Sequence, residues 1–318
     1  MSNSANFTYD VSVVGLYCID ILGRPVRFIP EGGNADFIQE IRMTVAGTAG
    51  GTIVDCAKLG LKALAVGATG EDEKAFFIRS TLERFGIDTS AMQSHKGVHT
   101  AASILTVRPN GDRPCLHVRG SSDALLITEA EYDHVLDARF VHMGGNGLLG
   151  KMDGDPTRAL LAAAKERGCT TTFDLIFANS DLMPKIAPAM AYVDYFIPSI
   201  EEAAILCGRT TPEDCAAYFH DLGVKNCVLT LGGDGSFIST GDQNFYLPAH
   251  DIQVVDTTGC GDAFSAGLIA ALNKGWDLEK SARFAGTCGA LVAGGLGSDA
   301  GIVDFASTEE AMNSLAIK

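Results

Sequence analysis

Residues 254–267 read VVDTTGCGDAFSAG and carry an acid, Asp262, in a glycine-rich turn where a helix is expected to begin. Immediately upstream, IQVV (252–255) is apolar and β-branched, which predicts a strand. Downstream, SAGLIAALNKG (265–275) has apolar residues at helical spacing and ends in glycine, which predicts a helix. The glycines between the two permit unusual torsions and a close approach of the backbone to a ligand.

The first turn of such a helix offers unpaired N–H groups and the positive end of the helix dipole, so it suits a multiply charged anion such as phosphate. A carboxylate is a poor phosphate ligand there, but it can take the proton of a hydroxyl that attacks a phosphorus atom held over the N–H groups. The alternative is that Asp262 only caps the helix, because aspartate is a preferred N-cap residue. The longer string Asp-Thr-Thr-Gly-x-Gly-Asp favours the catalytic interpretation.

Outward from this turn, short apolar runs alternate with longer amphipathic ones. The segments RFVHMG (139–144), TTTFD (170–174) and YVDYFIP (192–198) are predicted strands separated by helical patterns, and VSVVGLY (11–17) fits the same sheet. Strands joined by helices imply crossover connections. The predicted fold class is therefore α/β, with a doubly wound, mostly parallel central sheet and helices on both faces.

Two segments, 22–46 and 97–119, interrupt this alternation with strand-like stretches, proline, glycine and few helical patterns. We interpret them as a small β-sheet lid, inserted twice into a single domain that spans residues 1–318. The alternative is a pair of edge hairpins with no lid role. The exposed edges of such a sheet suggest pairing in a homodimer.

The stretch DTTGCGDAFSAG (256–267) resembles the C-terminal signature of the ribokinase-like, phosphofructokinase-B type carbohydrate kinases. The resemblance implies a ribokinase-like fold and transfer of the γ-phosphoryl group of ATP to a hydroxyl of a small sugar, sugar acid or nucleoside. It also implies that Asp262 is the catalytic base and that the amides of Gly259, Cys260 and Gly261 form an anion hole. Cys260 replaces the small residue usual at its position, but only its backbone amide is needed.

Substrate contacts are implied by the same resemblance. GLYCID (15–20) matches the family's Gly-x-x-x-x-Asp at the end of the first strand, whose acid binds sugar hydroxyls. The family's Gly-Gly-x-x-x-Asn reads AGTAGG (46–51) here, so a glycine stands where the substrate-binding asparagine is expected. A loop acid at position 20 and a structural turn around position 146 are the alternatives. The predicted substrate-binding residues are Asp20, Gly47, Gly50, Gly51 and Asp174, together with Asn146, whose loop follows the carboxyl end of a strand.

Two segments resemble the family's nucleotide site. TLGGDG (230–235) has the Thr-x-Gly-x-x-Gly form that lines the nucleotide, and residues 284–301 resemble the helix and loop that wall the adenine. Taken alone, each segment would equally suit a tight hairpin or a helix of small residues. The predicted nucleotide-binding residues are Thr230, Gly232, Gly235, Thr258 and Gly286.

ATP and Mg²⁺ are the cofactors that the resemblance implies, together with K⁺. The family's Asn-x-x-Glu, which organises magnesium and its waters, reads Ser199 to Glu202 in this chain. Glu202 is therefore predicted to hold Mg²⁺ through water, and a helix capping box is the structural alternative. A monovalent, potassium-type cation is implied at Asp256.

A second glycine motif, GGNGLLGKM (144–152), offers a competing interpretation. Gly145, Gly147 and Gly150 satisfy the G-x-G-x-x-G of dinucleotide-binding folds, so a nicotinamide-dependent oxidoreductase that uses Gly145–Gly150 is one alternative. Against it, Pro156 predicts a helix that starts after the glycine loop rather than within it. A catalytically silent sugar or nucleotide sensor is the other alternative, motivated by Gly51 and Ser199.

Composition restricts the partners. The 318 residues are 47% hydrophobic, which suffices for a large core, and the net charge of −15 disfavours nucleic acid and anionic membrane surfaces. Nine cysteines without a C-x-x-C pair, no signal-like N-terminus and no bilayer-length apolar run predict a cytoplasmic location. The expected partner is a small polyhydroxy molecule.

Overall fold

The computed structural model describes residues 7–318, and that part of the chain contains fourteen strands and ten α-helices. The strands are β1 (Tyr9–Gly15), β2 (Cys18–Arg24), β3 (Glu40–Ala46), β4 (Ala63–Val66), β5 (Ala68–Thr69), β6 (Gln93–Ser94), β7 (Ala102–Thr106), β8 (Cys115–Val118), β9 (Ala138–Asn146), β10 (Thr170–Leu175), β11 (Tyr195–Phe196), β12 (Asn226–Thr230), β13 (Ser236–Ser239) and β14 (Asn244–Leu247). The helices are α1 (Thr48–Lys58), α2 (Glu73–Arg84), α3 (Tyr132–Val135), α4 (Asp155–Glu166), α5 (Met183–Met190), α6 (Ile200–Cys207), α7 (Pro212–Asp221), α8 (Cys260–Asn273), α9 (Leu278–Ala293) and α10 (Phe305–Ser314).

The large sheet has eight strands in the order β14-β13-β12-β11-β10-β9-β1-β4. All pairs from β12 to β4 are parallel, and the β12-β13-β14 edge is antiparallel. Residues Val11 and Val13 of β1 pack in a core with α1, α2 and α8 to α10, whereas Val14 packs in a second core with α4 to α7. Helices therefore cover both faces, and the predicted doubly wound α/β fold is confirmed.

The parallel order of the large sheet places the functional residues. In a parallel sheet the carboxyl ends of all strands meet at one edge, where ligands bind. Gly15, Asp174 and Thr230 each lie at or next to the carboxyl end of β1, β10 and β12. Residues far apart in the sequence therefore meet at one edge of the sheet.

The predicted strand at IQVV (252–255) is wrong. These residues belong to none of the strands, and the backbone N–H groups of Val255 and Asp256 both donate to the carbonyl of Ala293 at the end of α9. Ile252 and Val254 line a cleft instead of pairing in a ladder. Their β-branched side chains thus wall a cleft, which the sequence pattern does not distinguish from strand pairing.

A separate four-stranded sheet has the order β3-β2-β7-β8. Its strands come from the two segments in which a small sheet was predicted, although it begins at Cys18 rather than at residue 22. Asp20 lies in β2 of this sheet and not at the end of the first strand, because the chain leaves the large sheet after Gly15. The single-domain division and the lid role of this sheet stay predictions.

The two faces of the small sheet differ in character. Pairing register aligns one polar row across the four strands, made of Thr44, Asp20, Ser103 and His117. Neighbouring positions point to the opposite face and align a second, apolar row of Met43, Ile21, Ile104 and Leu116. The polar row faces a cleft, since three of its members line it.

Candidate active site

Two clefts meet at the start of α8. The first lies between the large and small sheets and has a cavity volume of about 250 Å³; the second, of about 270 Å³, lies beside α9 and the β13–β14 hairpin. Thr230, Thr257 and Gly261 line both clefts. A group held at this junction would therefore contact ligands in both clefts at once.

The turn before α8 has a backbone that requires glycine. Gly259 is the N-cap of α8 with φ of 80°, and a Cβ at this position would lie 2.4 Å from Cβ of Ser298. At Gly261 a Cβ would meet nothing within 4 Å, so its backbone is open to the junction. The first N–H groups of an α-helix lack acceptors within the helix, and although the Cys260 amide makes a long hydrogen bond of 3.4 Å to the Thr257 carbonyl, this turn presents amides to both clefts.

The carboxylate of Asp256 organises the turn. One oxygen, Oδ1, accepts from the Thr258 amide at 3.0 Å and from the Thr258 hydroxyl at 2.7 Å. The other, Oδ2, accepts from the Gly297 amide at 2.9 Å. Asp256 is fully buried, so this carboxylate ties the turn to the loop that follows α9. Thr258 lines the first cleft rather than the second, where it was predicted to bind nucleotide.

Asp262 lies in the first turn of α8, half-buried, and lines the first cleft. Thr52 of α1 donates its hydroxyl to the Asp262 carbonyl at 3.2 Å. Burial raises the pKa of the Asp262 carboxyl well above its usual value, and the nearby acids Asp55 and Asp20 raise the pKa further, while Arg113 opposes them. A carboxyl with such a pKa is a better proton acceptor than an exposed aspartate.

Two more carboxylates from the predicted set line the first cleft. Asp174 accepts from the Leu175 amide at 2.7 Å and contacts the Ser265 hydroxyl at 3.5 Å. Burial raises its pKa strongly, and Glu202 and Asp262 add to the effect. Asp20 is almost fully buried on the polar row, and burial raises its pKa as well. These side chains give the first cleft the hydrogen-bond acceptors that a polyol requires.

Ser199 and Glu202 form the capping box that was the structural alternative. The Ser199 hydroxyl accepts from the Glu202 amide at 3.2 Å, and Glu202 Oε2 accepts from the Ser199 amide at 3.0 Å and the Ser199 hydroxyl at 2.9 Å. Both residues also line the first cleft. Since the box uses only Oε2, the second oxygen of Glu202 stays available to a ligand.

The three predicted glycines around the start of α1 have different surroundings. Gly47 has φ of 85° and lines the first cleft. Gly50 packs against Val45 and Tyr17, in the protein interior. A Cβ at Gly51 would lie 2.5 Å from Oδ2 of Asp262, so only glycine leaves the space that this carboxylate occupies.

Asn146 does not line the cleft, which corrects its predicted substrate contact. Its side chain is fully buried, and its amide nitrogen donates to Asp153 and Thr157 at 3.1 Å each. These bonds brace the turn after β9. The residue is therefore structural, as the alternative interpretation held.

The second cleft contains the remaining predicted residues. Thr230, Gly232, Gly235 and Gly286 all line it, with Cys260 at its inner end. A Cβ at Gly235 would lie 2.0 Å from the Leu247 carbonyl, and one at Gly286 would meet nothing within 4 Å. The other walls are mostly apolar side chains of α9, α10 and residues 247–254. A mostly apolar cleft beside the first amides of a helix suits a nucleoside with attached phosphates.

The competing glycine motif does not open a helix. Helix α4 begins at Asp155, after the loop, as Pro156 predicted. A Cβ at Gly147 would lie 2.2 Å from the Ile176 carbonyl, and one at Gly150 would lie 2.7 Å from Asp123. These glycines pack against the protein itself, which leaves no phosphate cradle of the dinucleotide type.

Sequence reasoning missed several residues of the first cleft. Arg113, Ser103, Cys18 and Thr257 all line it. Ser103 and Cys18 lie on strands in which polar and apolar residues alternate. This pattern indicates a sheet with one polar and one apolar face. Arg113 lies in a turn between β7 and β8, where no periodic pattern indicates which way a side chain points.

Within residues 7–318, no group of three or more histidine, cysteine, aspartate or glutamate side chains is arranged to hold a metal ion. The same residues include no helix that is long and apolar enough to cross a bilayer.

The sequence model of the pfkB family carbohydrate kinases matches residues 9–304 of this chain. Among known relatives, an ATP-dependent ribose-1-phosphate kinase from Halopiger xanaduensis is 28% identical, over 84% of this chain and 86% of the relative. An aminoimidazole riboside kinase from Salmonella typhimurium is 26% identical, over 84% and 85%. A 2-dehydro-3-deoxygluconokinase from Bacillus subtilis is 26% identical, over 82% and 84%.

Solved structures share the fold. The ribokinase of Arabidopsis thaliana complexed with ribose and ATP superimposes with a TM-score of 0.79 at 22% identity, covering 96% of this chain and 98% of that one. The nucleoside kinase of Methanocaldococcus jannaschii gives a TM-score of 0.75 at 19% identity, covering 97% and 99%.

Proposed function

Because this chain belongs to the pfkB family of carbohydrate kinases, we propose that it transfers the γ-phosphoryl group of ATP to a hydroxyl of a small sugar, sugar acid or nucleoside. One observation carries the proposal. Asp262 and the glycine-lined start of α8 lie where the polar cleft under the small sheet meets the apolar cleft beside α9. A base and free amides at the junction of an acceptor cleft and a nucleotide cleft are what phosphoryl transfer requires.

The two clefts divide the substrates between them. ATP occupies the cleft lined by Gly232, Gly235 and Gly286, with its phosphates toward Gly261. The acceptor lies under the small sheet, where Asp20 and Asp174 accept its hydroxyl hydrogen bonds. Lid closure by the small sheet would exclude water, which competes with the acceptor.

In the transfer step, the acceptor oxygen forms a bond to the γ-phosphorus while the bond from that phosphorus to the β–γ bridging oxygen breaks. The acceptor proton passes to Asp262, and ADP leaves with the electron pair of the broken bond. The amides of Gly259, Cys260 and Gly261 donate to the transferring group, whose charge grows at the moment of transfer. The turn that Asp256 holds closed keeps these donors in place.

Magnesium, which enters with ATP, supplies charge neutralisation of the phosphates when bound. The chain offers Glu202 for it, since the carboxylate lines the cleft and keeps Oε1 outside the capping box. We propose that Glu202 holds Mg²⁺ through water. A potassium-type cation at the Asp256–Thr258 turn is a further proposal, supported by the buried carboxylate there. A cytoplasmic location is proposed from the nine cysteines, all of which are free thiols.

The proposal is tested by measuring ADP release from ATP over a panel of pentoses, hexoses, sugar acids and ribonucleosides. Two relatives are named for an aminoimidazole riboside and a sugar acid, and a third is named for ribose 1-phosphate, so pentose phosphates are added to the panel. We expect ADP formation with at least one member and a rise in the melting temperature with ATP but not with nicotinamide dinucleotides. Stabilisation by ligands without ADP formation on any member would favour a sensor.

The pH dependence of kcat/KM should report the Asp262 carboxyl. Its pKa is raised by burial and by Asp55 and Asp20, and the base works only when deprotonated. Activity should therefore fall as the pH drops through this raised pKa, at a higher pH than an ordinary aspartate with a pKa of about 4 would give. A profile that stays flat down to about pH 4 would contradict the assignment.

We further propose a homodimer through the small sheet. The apolar row on its outer face is solvent-exposed, with relative exposures of 46% for Met43, 51% for Ile104 and 73% for Leu116. Adjacent Ile41 and Val118 are exposed too, so the apolar surface is continuous across the face. Such a face on a two-sided sheet is normally covered, and a second copy offers an identical apolar face.

Leu116→Glu should convert the dimer to a monomer, because it places a charge on the most exposed residue of the apolar row. Light scattering after gel filtration measures the change. Phe76→Glu, an equally exposed aromatic on α2, is the control and should leave the mass unaltered. A wild-type protein that is monomeric at high concentration would rule out this interface.

A further inference from the structure

The first cleft has an unusual charge balance for a site that must accept a phosphoryl group. Four carboxylates line it, those of Asp20, Asp174, Glu202 and Asp262, against the single guanidinium of Arg113. His117 also lines the cleft, but burial and Arg119 lower its pKa, so it is neutral near pH 7. A phosphoryl group that moves toward these acids is repelled unless a cation offsets them.

Arg113 is placed to provide that charge. It belongs to the turn between β7 and β8 of the small sheet, and its Nε donates to the Thr257 hydroxyl at 3.1 Å. Thr257 lines both clefts and precedes the Gly259–Gly261 amides by two residues. The guanidinium therefore lines the first cleft next to its junction with the second.

Most of the guanidinium is free for a ligand. Among the described residues, its Nε–H is the one donor of Arg113 with a protein acceptor, and a guanidinium carries five N–H donors. The turn that presents it is braced, since the Arg108 amide donates to the Asp112 carbonyl at 2.7 Å and the Thr106 amide to the Pro114 carbonyl at 3.1 Å. An ordered turn with a free, planar set of donors suits a phosphate-like group.

We infer that Arg113 is a catalytic residue that the small sheet brings over the transferring phosphoryl group, opposite the amides at the start of α8. This inference rests on the proposed kinase function and extends it. Closure of the small sheet then does two things at once, since it excludes water and delivers the positive charge.

The test separates this role from a purely structural one, in which Arg113 only holds the small sheet in place through its hydrogen bond to Thr257. Arg113→Gln should lower kcat by about 10²-fold, less than the roughly 10³–10⁵-fold effect of arginine fingers, because Arg113 is exposed. Arg113→Lys should recover part of the loss, and added guanidinium should partly rescue Arg113→Ala. Thr257→Val removes the hydrogen bond to Arg113 and keeps the guanidinium, so it should lower kcat clearly less than Arg113→Gln does.

Arg108→Gln is the matched control. Arg108 lies in the same turn but donates to the Arg27 carbonyl at 2.8 Å, outside both clefts, and its replacement should leave kcat near the wild-type value. If Arg113 only holds the small sheet in place through Thr257, Thr257→Val and Arg113→Gln should lower kcat equally, and added guanidinium should not raise the kcat of Arg113→Ala. That result would overturn the inference.

A binding measurement decides the question independently of the acceptor. ADP with Mg²⁺ and aluminium fluoride, a mimic of the transferring group, should bind wild type more tightly than ADP with Mg²⁺ alone. Arg113→Gln should bind ADP normally and lose the gain from aluminium fluoride; an intact gain would contradict the inference. If the wild type transfers the phosphoryl group and Arg113→Gln does so at the same rate, the role of Arg113 is contradicted but the kinase function is not. If the wild type transfers it to no acceptor, the kinase function itself is contradicted.

Discussion

Replacing Asp262 with asparagine should reduce kcat by about 10²–10⁴-fold while the affinity for ATP stays close to that of the wild type. The substitution keeps the size of the side chain and its place in the first turn of α8, but the amide cannot accept the proton of the attacking hydroxyl. The nucleotide cleft is lined by other residues, so binding there should be little affected. Steady-state ADP release and calorimetric titration with ATP measure the two quantities.

The same variant separates the catalytic role from the helix cap that sequence alone left open. If Asp262 mainly capped α8, the asparagine variant would turn over normally, because asparagine caps a helix as well as aspartate does. In the structure the N-cap is Gly259, with Asp262 three residues further along. A normal kcat in the folded variant would therefore refute the base assignment without any change in capping.

Gly51→Ala should also reduce kcat strongly, because it displaces the Asp262 carboxylate. The new methyl carbon would lie 2.5 Å from Oδ2 and 3.0 Å from Cβ of Asp262, closer than such atoms approach, so the catalytic carboxylate must move. A displacement of about 1 Å from the reacting geometry can cost about 10²-fold in rate. The change should leave folding intact, because Gly51 lies inside α1, where alanine is preferred over glycine by roughly 0.5–1 kcal/mol.

Gly50→Ala is the matched control for this prediction. It makes the same substitution one residue earlier in the same helix, where the nearest atom, Cγ1 of Val45, is 3.2 Å away and Asp262 is not a neighbour. Melting temperature and kcat should be measured for both variants. Equal activity of the two would mean that Asp262 tolerates displacement, and loss of folding in Gly51→Ala alone would assign the glycine a packing role.

The parts of the site that depend on short contiguous motifs can be predicted from the sequence. The turn from Asp256 to Asp262 was predictable because its glycines, its acid and the helix after it stand side by side in the chain. The mostly parallel sheet with helices on both faces followed from alternating apolar and amphipathic runs. Glu202 in a capping box was also predictable, since Ser199 and Glu202 have the spacing that this motif requires.

Other features depend on contacts between distant segments, which local patterns do not encode. IQVV has the residues of a strand, yet its backbone bonds to Ala293 and two of its side chains wall a cleft. The glycine at position 51 reads as a lost substrate contact in the sequence, whereas the structure shows that Asp262 fills the space. Asn146 follows a strand at the ligand-binding edge, but Asp153 and Thr157 turn its side chain inward.

Single-turnover transfer of labelled γ-phosphoryl from prebound ATP to the acceptor, compared between wild type and Asp262→Asn, tests the central claim most directly. That claim is that proton removal and charge stabilisation occur together where the two clefts meet. We expect the label to reach the acceptor rapidly in wild type and about 10²–10⁴ times more slowly in the variant, with ATP equally bound in both. Transfer at the same rate by both proteins would contradict it.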